Sequence, residues 1–201
     1  MHPILTGEAY DEITHLWRSD SFNKENGMAQ HKKSLAFVDA RGGALDVGCG
    51  CTGRFAEFLS KEGFVYEGLD VSGEMINLAR RQYPNITFYH ENICEWSIPR
   101  KYDFITAWDS LWHVPLEQHE QVISKLVSAL STDGVFVFSF GGADEPSEYT
   151  NELMGPEIYY ATLGTNSYLQ LIADRGCICM HLEFDQYPES HAYMIVKKSD
   201  A

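Results

Sequence analysis

The sequence predicts an α/β protein built on one open sheet, mostly parallel with an antiparallel last strand, and with helices on both faces. Three observations carry that expectation. From residue 43 onward, short apolar runs alternate with segments of helical period, as in a parallel sheet covered on both sides. The first apolar run, 44–47, ends in a glycine cluster from which a helix starts. The last two runs, 177–184 and 192–196, are joined by a short loop containing Pro188, which fits an antiparallel pair rather than another crossover.

Taken in order, residues 8–19 and 29–39 have helical character, and 44–47 is the first strand. Residues 54–62 place Phe55, Phe58 and Leu59 on one helical face, and Gly63 stops that helix. Strand 64–69 closes at Asp70, and helix 73–82 turns Met75, Ile76 and Ala79 inward, with Pro84 past its end. Strands follow at 86–89 and 104–108, then a helix over 116–130 with Val122, Ile123, Leu126, Val127 and Leu130 on one side. The Ser-Thr-Asp-Gly turn at 131–134 leads into the strongly apolar strand 135–140. Residues 143–164, polar and tyrosine-rich with Pro146 and Pro156, are expected to lie as an insertion over one end of the sheet. Helix 167–175 is capped by Asn166 and stopped by Gly176. Without repeats or a long linker, residues 1–201 are expected to form a single domain. Its parts are an N-terminal helical lid (1–42), a ligand-binding core (43–142), a substrate-side insertion (143–164) and a C-terminal helix and strand pair (165–201).

Composition narrows the classes of function. Fifteen Lys and Arg against 29 Asp and Glu leave a net charge of −14, a field that repels phosphate backbones, so no nucleic-acid partner is expected. The five cysteines, at 49, 51, 94, 177 and 179, form two C-x-C pairs rather than C-x₂-C zinc pairs, and read as reduced, buried thiols. No histidine has metal-ligand spacing, so no metal is expected. The N-terminal segment resembles no signal peptide and no apolar run spans a membrane, so a soluble, cytoplasmic protein is expected.

The informative segment is Leu45-Asp46-Val47-Gly48-Cys49-Gly50-Cys51-Thr52-Gly53-Arg54, a G-x-G-x-x-G turn between strand and helix. Asp70, 20 residues past Gly50, ends the next strand, where a carboxylate can accept from both ribose hydroxyls. A nucleoside-type ligand follows. A nucleoside triphosphate is disfavoured because Arg54-Phe55 replaces the Lys-Ser/Thr pair of a P-loop. A dinucleotide remains open on the glycines alone. Asp46, two residues before the first glycine, would oppose a diphosphate but suits a ligand with an ammonium group and a sulfonium.

With these motifs the Rossmann-like core resembles the class I S-adenosylmethionine-dependent methyltransferases. Asp46-x-Gly48-x-Gly50 is similar to that family's first motif and Asp70-Val71-Ser72 to its acidic second-strand end. Tyr102-Asp103-Phe104-Ile105 and the 131–140 region resemble its fourth and fifth strands, so the likeness covers 43–142. It implies S-adenosylmethionine as cofactor, with the backbone of Gly48, Cys49 and Gly50 under the methionine arm and Asp46 nearby. It further implies Asp70 on the ribose, Val71 and Met75 flanking adenine, Asn92 and Ile93 at the adenine edge, and Trp108 and Tyr10 closing the pocket. Asn92 departs from the family's usual acidic residue there, and its carbonyl is expected to accept from the adenine amine.

Methyl transfer from a sulfonium disperses charge, so alignment supplies most of what the enzyme must add, and a base matters only where the acceptor loses a proton. His113, with Asp109 as the alternative, is the expected base; His113 can equally pack the helix that follows Pro115. Tyr10, Trp17, Trp112, Tyr149, Tyr159, Tyr160 and Tyr168 could roof the site or serve as core. The expected function is methylation of a small-molecule acceptor. An NAD-dependent dehydrogenase and a non-catalytic S-adenosylmethionine-binding module stay open beside it.

Overall fold

The computed structural model describes residues 2–199; residues 1, 200 and 201 of the expected 1–201 domain lie outside the described residues. The chain runs α1 (Pro3–Arg18), α2 (Met28–Ser34), β1 (Gly43–Val47), α3 (Arg54–Lys61), β2 (Val65–Asp70), α4 (Gly73–Gln82), β3 (Thr87–His90) and β4 (Tyr102–Ala107). It continues through α5 (His119–Ala129), β5 (Leu130–Gly141), β6 (Ser147–Asn151), β7 (Ile158–Thr162), α6 (Thr165–Asp174), β8 (Cys177–Glu183) and β9 (His191–Lys198).

Seven strands make one sheet in the order β3-β2-β1-β4-β5-β9-β8, with β9 antiparallel to both of its neighbours and the other pairs parallel. Alternation along the strands sorts the core into two layers. Leu45, Ile105 and Phe136 point with α5 and α6 to one face, while Ala44, Phe104 and Val135 meet Phe55, Leu59 and Ile76 of α3 and α4 on the other. Because β1 pairs with β2 on one side and β4 on the other, the chain reverses direction across the sheet there. This opens a crevice beyond the C-terminal ends of β1 and β4.

Several boundaries differ from the sequence reading. The first helix begins at Pro3 rather than residue 8; proline suits the first helical position, and the His2 ring accepts the Ile4 N–H. The turn expected at 131–134 is absorbed into β5, with Asp133 at φ 59° and a register shift against β4. Asn166 does not cap α6; Gly164 takes that place, with no side-chain cap. The insertion is a two-stranded hairpin, β6–β7, paired from Ser147–Thr162 to Asn151–Ile158.

Two contacts lock α1 over the crevice. Asp11 accepts from the Ser72 hydroxyl at 2.5 Å and the Glu74 N–H at 2.9 Å, capping α4 from another helix. At Gly7 a Cβ would collide with the Val71 carbonyl, so only glycine lets α1 come this close. On the other side, α2 is tied to the sheet by His31, fully buried and stacked on Phe55 at 3.7 Å. Its Nδ1 pairs with the Gly27 carbonyl at 2.7 Å and its Nε2 with the Thr106 hydroxyl at 2.8 Å.

Burial pushes the His31 imidazole down to about 3. The unfolded chain takes up this proton below about pH 6.5 and the folded chain does not, so the stability held by neutral His31 is full above that pH and fades as pH falls. In urea unfolding, the stability difference between wild type and His31→Asn should shrink by about 1.4 kcal/mol per pH unit between about pH 6 and pH 4. A difference independent of pH would contradict this assignment.

Candidate functional site

The turn after β1 is set by backbone donors. Gly48 and Cys49 give their N–H groups to the Leu69 carbonyl at 2.8 and 3.0 Å, and Gly50 gives its own to Asp70 at 2.8 Å. Ser72 N–H donates to the other Asp70 oxygen at 2.9 Å. One carboxylate therefore ties the β1 turn to the β2 turn. Gly50 sits at φ 57°, and a Cβ there would meet only open space, so the chain leaves a bare backbone floor.

Above that floor lie two chambers that share Tyr10, Gly48, Asp70 and Asp109. The smaller, about 100 Å³, is walled by Val71, Asn92, Ile93, Leu111 and His113 and roofed by Pro3, Thr6 and Tyr10 of α1. The larger, about 320 Å³, is walled by Cys49, Arg54, Met75, Trp108, Trp112 and His191, with Trp17, Met154 and Tyr160 above.

In the smaller chamber, Asn92 offers more than the acceptor expected of it. Its Oδ1 accepts from the Cys94 N–H at 3.0 Å and keeps one lone pair, while its buried Nδ2 has no partner. The wholly free function is thus a donor, suited to a ring nitrogen. His113 also departs from expectation. Its Nδ1 faces the Tyr159 carbonyl at 2.8 Å, so it carries the proton, and its Nε2 meets the Tyr10 hydroxyl at 2.8 Å and the Trp112 indole N–H at 3.0 Å. Burial holds this imidazole down at about 4. Neutral and with both nitrogens engaged, His113 positions Tyr10, and the base role proposed for it from sequence does not fit.

Asp109, the alternative, stands at the junction of the two chambers in the left-handed backbone region, φ 54°. Its own N–H donates to the Ser139 hydroxyl at 2.7 Å, and its carboxylate receives Asn26 Nδ2 at 2.8 Å and His191 Nε2 at 3.2 Å. The other His191 nitrogen meets Asp185 at 2.5 Å. Burial opposes a charge on His191, but these two carboxylates outweigh it and raise its pKa.

Other expected site residues fall in different places. Asp46 is 2% exposed, accepts the Tyr66 hydroxyl at 2.7 Å and lines neither chamber, so it does not face a ligand's ammonium group. Burial raises its carboxyl to about 7 despite that bond. Met75 and Val71 lie in different chambers and do not flank one ring between them. Trp108 and Tyr10 do line the site, as do Trp17, Trp112 and Tyr160. Tyr168, by contrast, is core, bonded to His119; Tyr149 is exposed and stacks on Tyr160; Tyr159 braces Glu148 and the Leu116 N–H. The five cysteines are free, and no group of three or more His, Cys, Asp or Glu among the described residues is arranged to hold a metal.

Arg54, Asn26, Gln186 and His191 were missed from sequence. Arg54 immediately follows the glycine turn, so its place was visible there; His191 starts a distant strand and carries no local motif.

Comparison with known proteins agrees with this geometry. Residues 44–134 match the model of a family described as a methyltransferase domain. A ubiquinone biosynthesis O-methyltransferase of Coxiella burnetii is 30% identical over 135 residues, covering 64% of this chain and 56% of that protein. A dTDP-3-amino-3,6-dideoxy-α-D-glucopyranose N,N-dimethyltransferase of Streptomyces fradiae is 28% identical over 137 residues, 65% of this chain and 51% of that one. The chain thus spans about half the length of these curated relatives. The crystal structure of magnesium protoporphyrin IX methyltransferase from Synechocystis with S-adenosylmethionine bound superposes with a TM-score of 0.73, at 17% identity over 97% of this chain and 93% of the other. Residues 44–134 are thus similar to a methyltransferase domain, and the chain has the fold of the S-adenosylmethionine-dependent methyltransferases.

Proposed function

We propose that this protein transfers the methyl group of S-adenosylmethionine to a small-molecule acceptor. The observation that carries the reading is the pair of joined chambers over a bare glycine floor, with Asp70 at their junction and an unpartnered Asn92 donor in the smaller one. The cofactor supplies, when bound, a methyl group on a sulfonium; the residues of this chain supply its cradle. Gly48, Cys49 and Gly50 would run beneath the methionine arm. The remaining lone pairs of Asp70 would take the ribose hydroxyls, and Asn92 with Val71 and Ile93 would hold adenine. The names of the Coxiella and Streptomyces relatives support a small acceptor.

The chemistry asked of the larger chamber is modest. Trp17, Trp108, Trp112 and Tyr160 would exclude water and offer ring faces to positive charge as the methyl group moves. Asp109, held by Asn26 and His191 where the chambers meet, is placed to accept a proton from an acceptor's N–H or O–H. His191, lying between Asp109 and Asp185, would hold the Asp109 carboxylate in place. The helical segment 1–42 would act as a lid through α1, and the 143–164 hairpin as the acceptor side.

The net charge of −14 opposes a nucleic-acid acceptor. The test is release of S-adenosylhomocysteine from S-adenosylmethionine, followed by mass spectrometry across panels of small amines, phenols and carboxylates, and of proteins and RNA. Turnover dependent on a small molecule is expected; faster methylation of a macromolecule than of any small molecule would contradict the reading. Asp70→Ala should weaken S-adenosylhomocysteine binding by about 1–3 kcal/mol in calorimetry through loss of charge-assisted hydrogen bonds. Unchanged affinity in the folded variant would remove Asp70 from the ribose.

A further inference from the structure

We infer that Arg54 is a carboxylate anchor in the larger chamber, an inference that rests on the methyltransferase reading for which carboxylate it holds. Its guanidinium is 4.6 Å from the Phe55 ring centroid and 5.4 Å from that of Phe22, flanked by two aromatic side chains. It lines the larger chamber, its Nη1 is buried with no hydrogen-bond partner, and it forms no ion pair among the described residues.

The two carboxylates that act on it from a distance are already engaged. Asp46 is bonded to Tyr66, and Asp109 to Asn26 and His191. Burial works against the cation and lowers its pKa, outweighing the opposing pull of Asp109 and Asp46, neither of which pairs with it directly. A buried guanidinium nitrogen without a partner is costly, and a planar fork held between rings matches a carboxylate edge to edge.

Two carboxylates could reach this chamber: the amino-acid end of the cofactor and an acidic group on the acceptor. The first is favoured by position, because Arg54 follows the glycine turn along which the methionine arm would run.

Calorimetry distinguishes them with S-adenosylhomocysteine, its decarboxylated analogue and 3-phenylpropionate as probes, on wild type, Arg54→Gln and Arg54→Lys. With the cofactor as source, Arg54→Gln loses about 10- to 100-fold in affinity for S-adenosylhomocysteine and under about twofold for the decarboxylated analogue; Arg54→Lys recovers part of the loss. With the acceptor as source, S-adenosylhomocysteine binding is unchanged, while 3-phenylpropionate binds the loaded wild type and not Arg54→Gln. Either pattern supports the anchor. Equal loss for both nucleosides, or no loss for any of the three probes, overturns it. Should wild type bind neither nucleoside, the methyltransferase reading fails, and 3-phenylpropionate alone decides the role of Arg54. The ligand-free variants should stay folded, since Arg54 loses only its contacts with the Phe22 and Phe55 rings and no hydrogen bond or ion pair.

Discussion

The site depends on one carboxylate that belongs to two turns at once. Asp70 receives the Gly50 and Ser72 amides, so the loop after β1 and the loop after β2 are fixed relative to each other before any ligand arrives. Those amides have no strand partner, and Asp70 answers them where water otherwise would. The consequence is a rigid floor at the point where the sheet changes direction, with the glycine backbone exposed to whatever lies above it. The second consequence concerns α1. Ser72, placed by Asp70, gives its hydroxyl to Asp11, and the neighbouring Tyr10 is thereby brought over both chambers and held by His113.

Charge is handled in the same sparing way. His31 and His113 are kept neutral by burial, each with both ring nitrogens engaged, so they serve as polar struts within apolar layers. Asp46 is sealed beneath the turn by Tyr66. Two charged side-chain types face the chambers: Asp109 bonded to His191 where they meet, and Arg54 braced only by aromatic rings in the larger one. Of the polar groups walling the chambers, Asn92 and Arg54 each keep a buried nitrogen unsatisfied, one per chamber. A folded chain tolerates such groups where a ligand completes them.

Much of this was legible in the sequence, for identifiable reasons. The order and direction of the strands followed from alternating periods and from the short 184–191 connection, and Asp70 from its distance to the glycine turn. What failed were inferences from chemistry without burial. Asp46 carries the right charge, but its side chain points into the layer under the sheet, and the charge argument against a diphosphate loses its force with it. His113 has a suitable intrinsic pKa, yet Tyr10, Trp112 and the Tyr159 carbonyl use up its nitrogens, contacts spanning up to 103 residues that no local pattern encodes. That Asn92 also keeps a free donor follows from the Cys94 amide on its carbonyl, a loop conformation invisible at the level of sequence. The Asp109–His191–Asp185 chain joins the end of β4 to the start of β9 and could be found only once the two strands were seen to flank the same chamber.

The central claim is that the crevice above Asp70 is built for an adenosine bearing an amino-acid arm. A crystal structure with S-adenosylhomocysteine, grown in the presence of equal NAD, addresses it directly. The account predicts adenine beside Asn92 in the smaller chamber, ribose on Asp70 and the homocysteine arm along Gly48–Gly50 toward Arg54. A dinucleotide in that place, or a nucleoside bound elsewhere with the crevice filled by Tyr10 and Trp112, would contradict it.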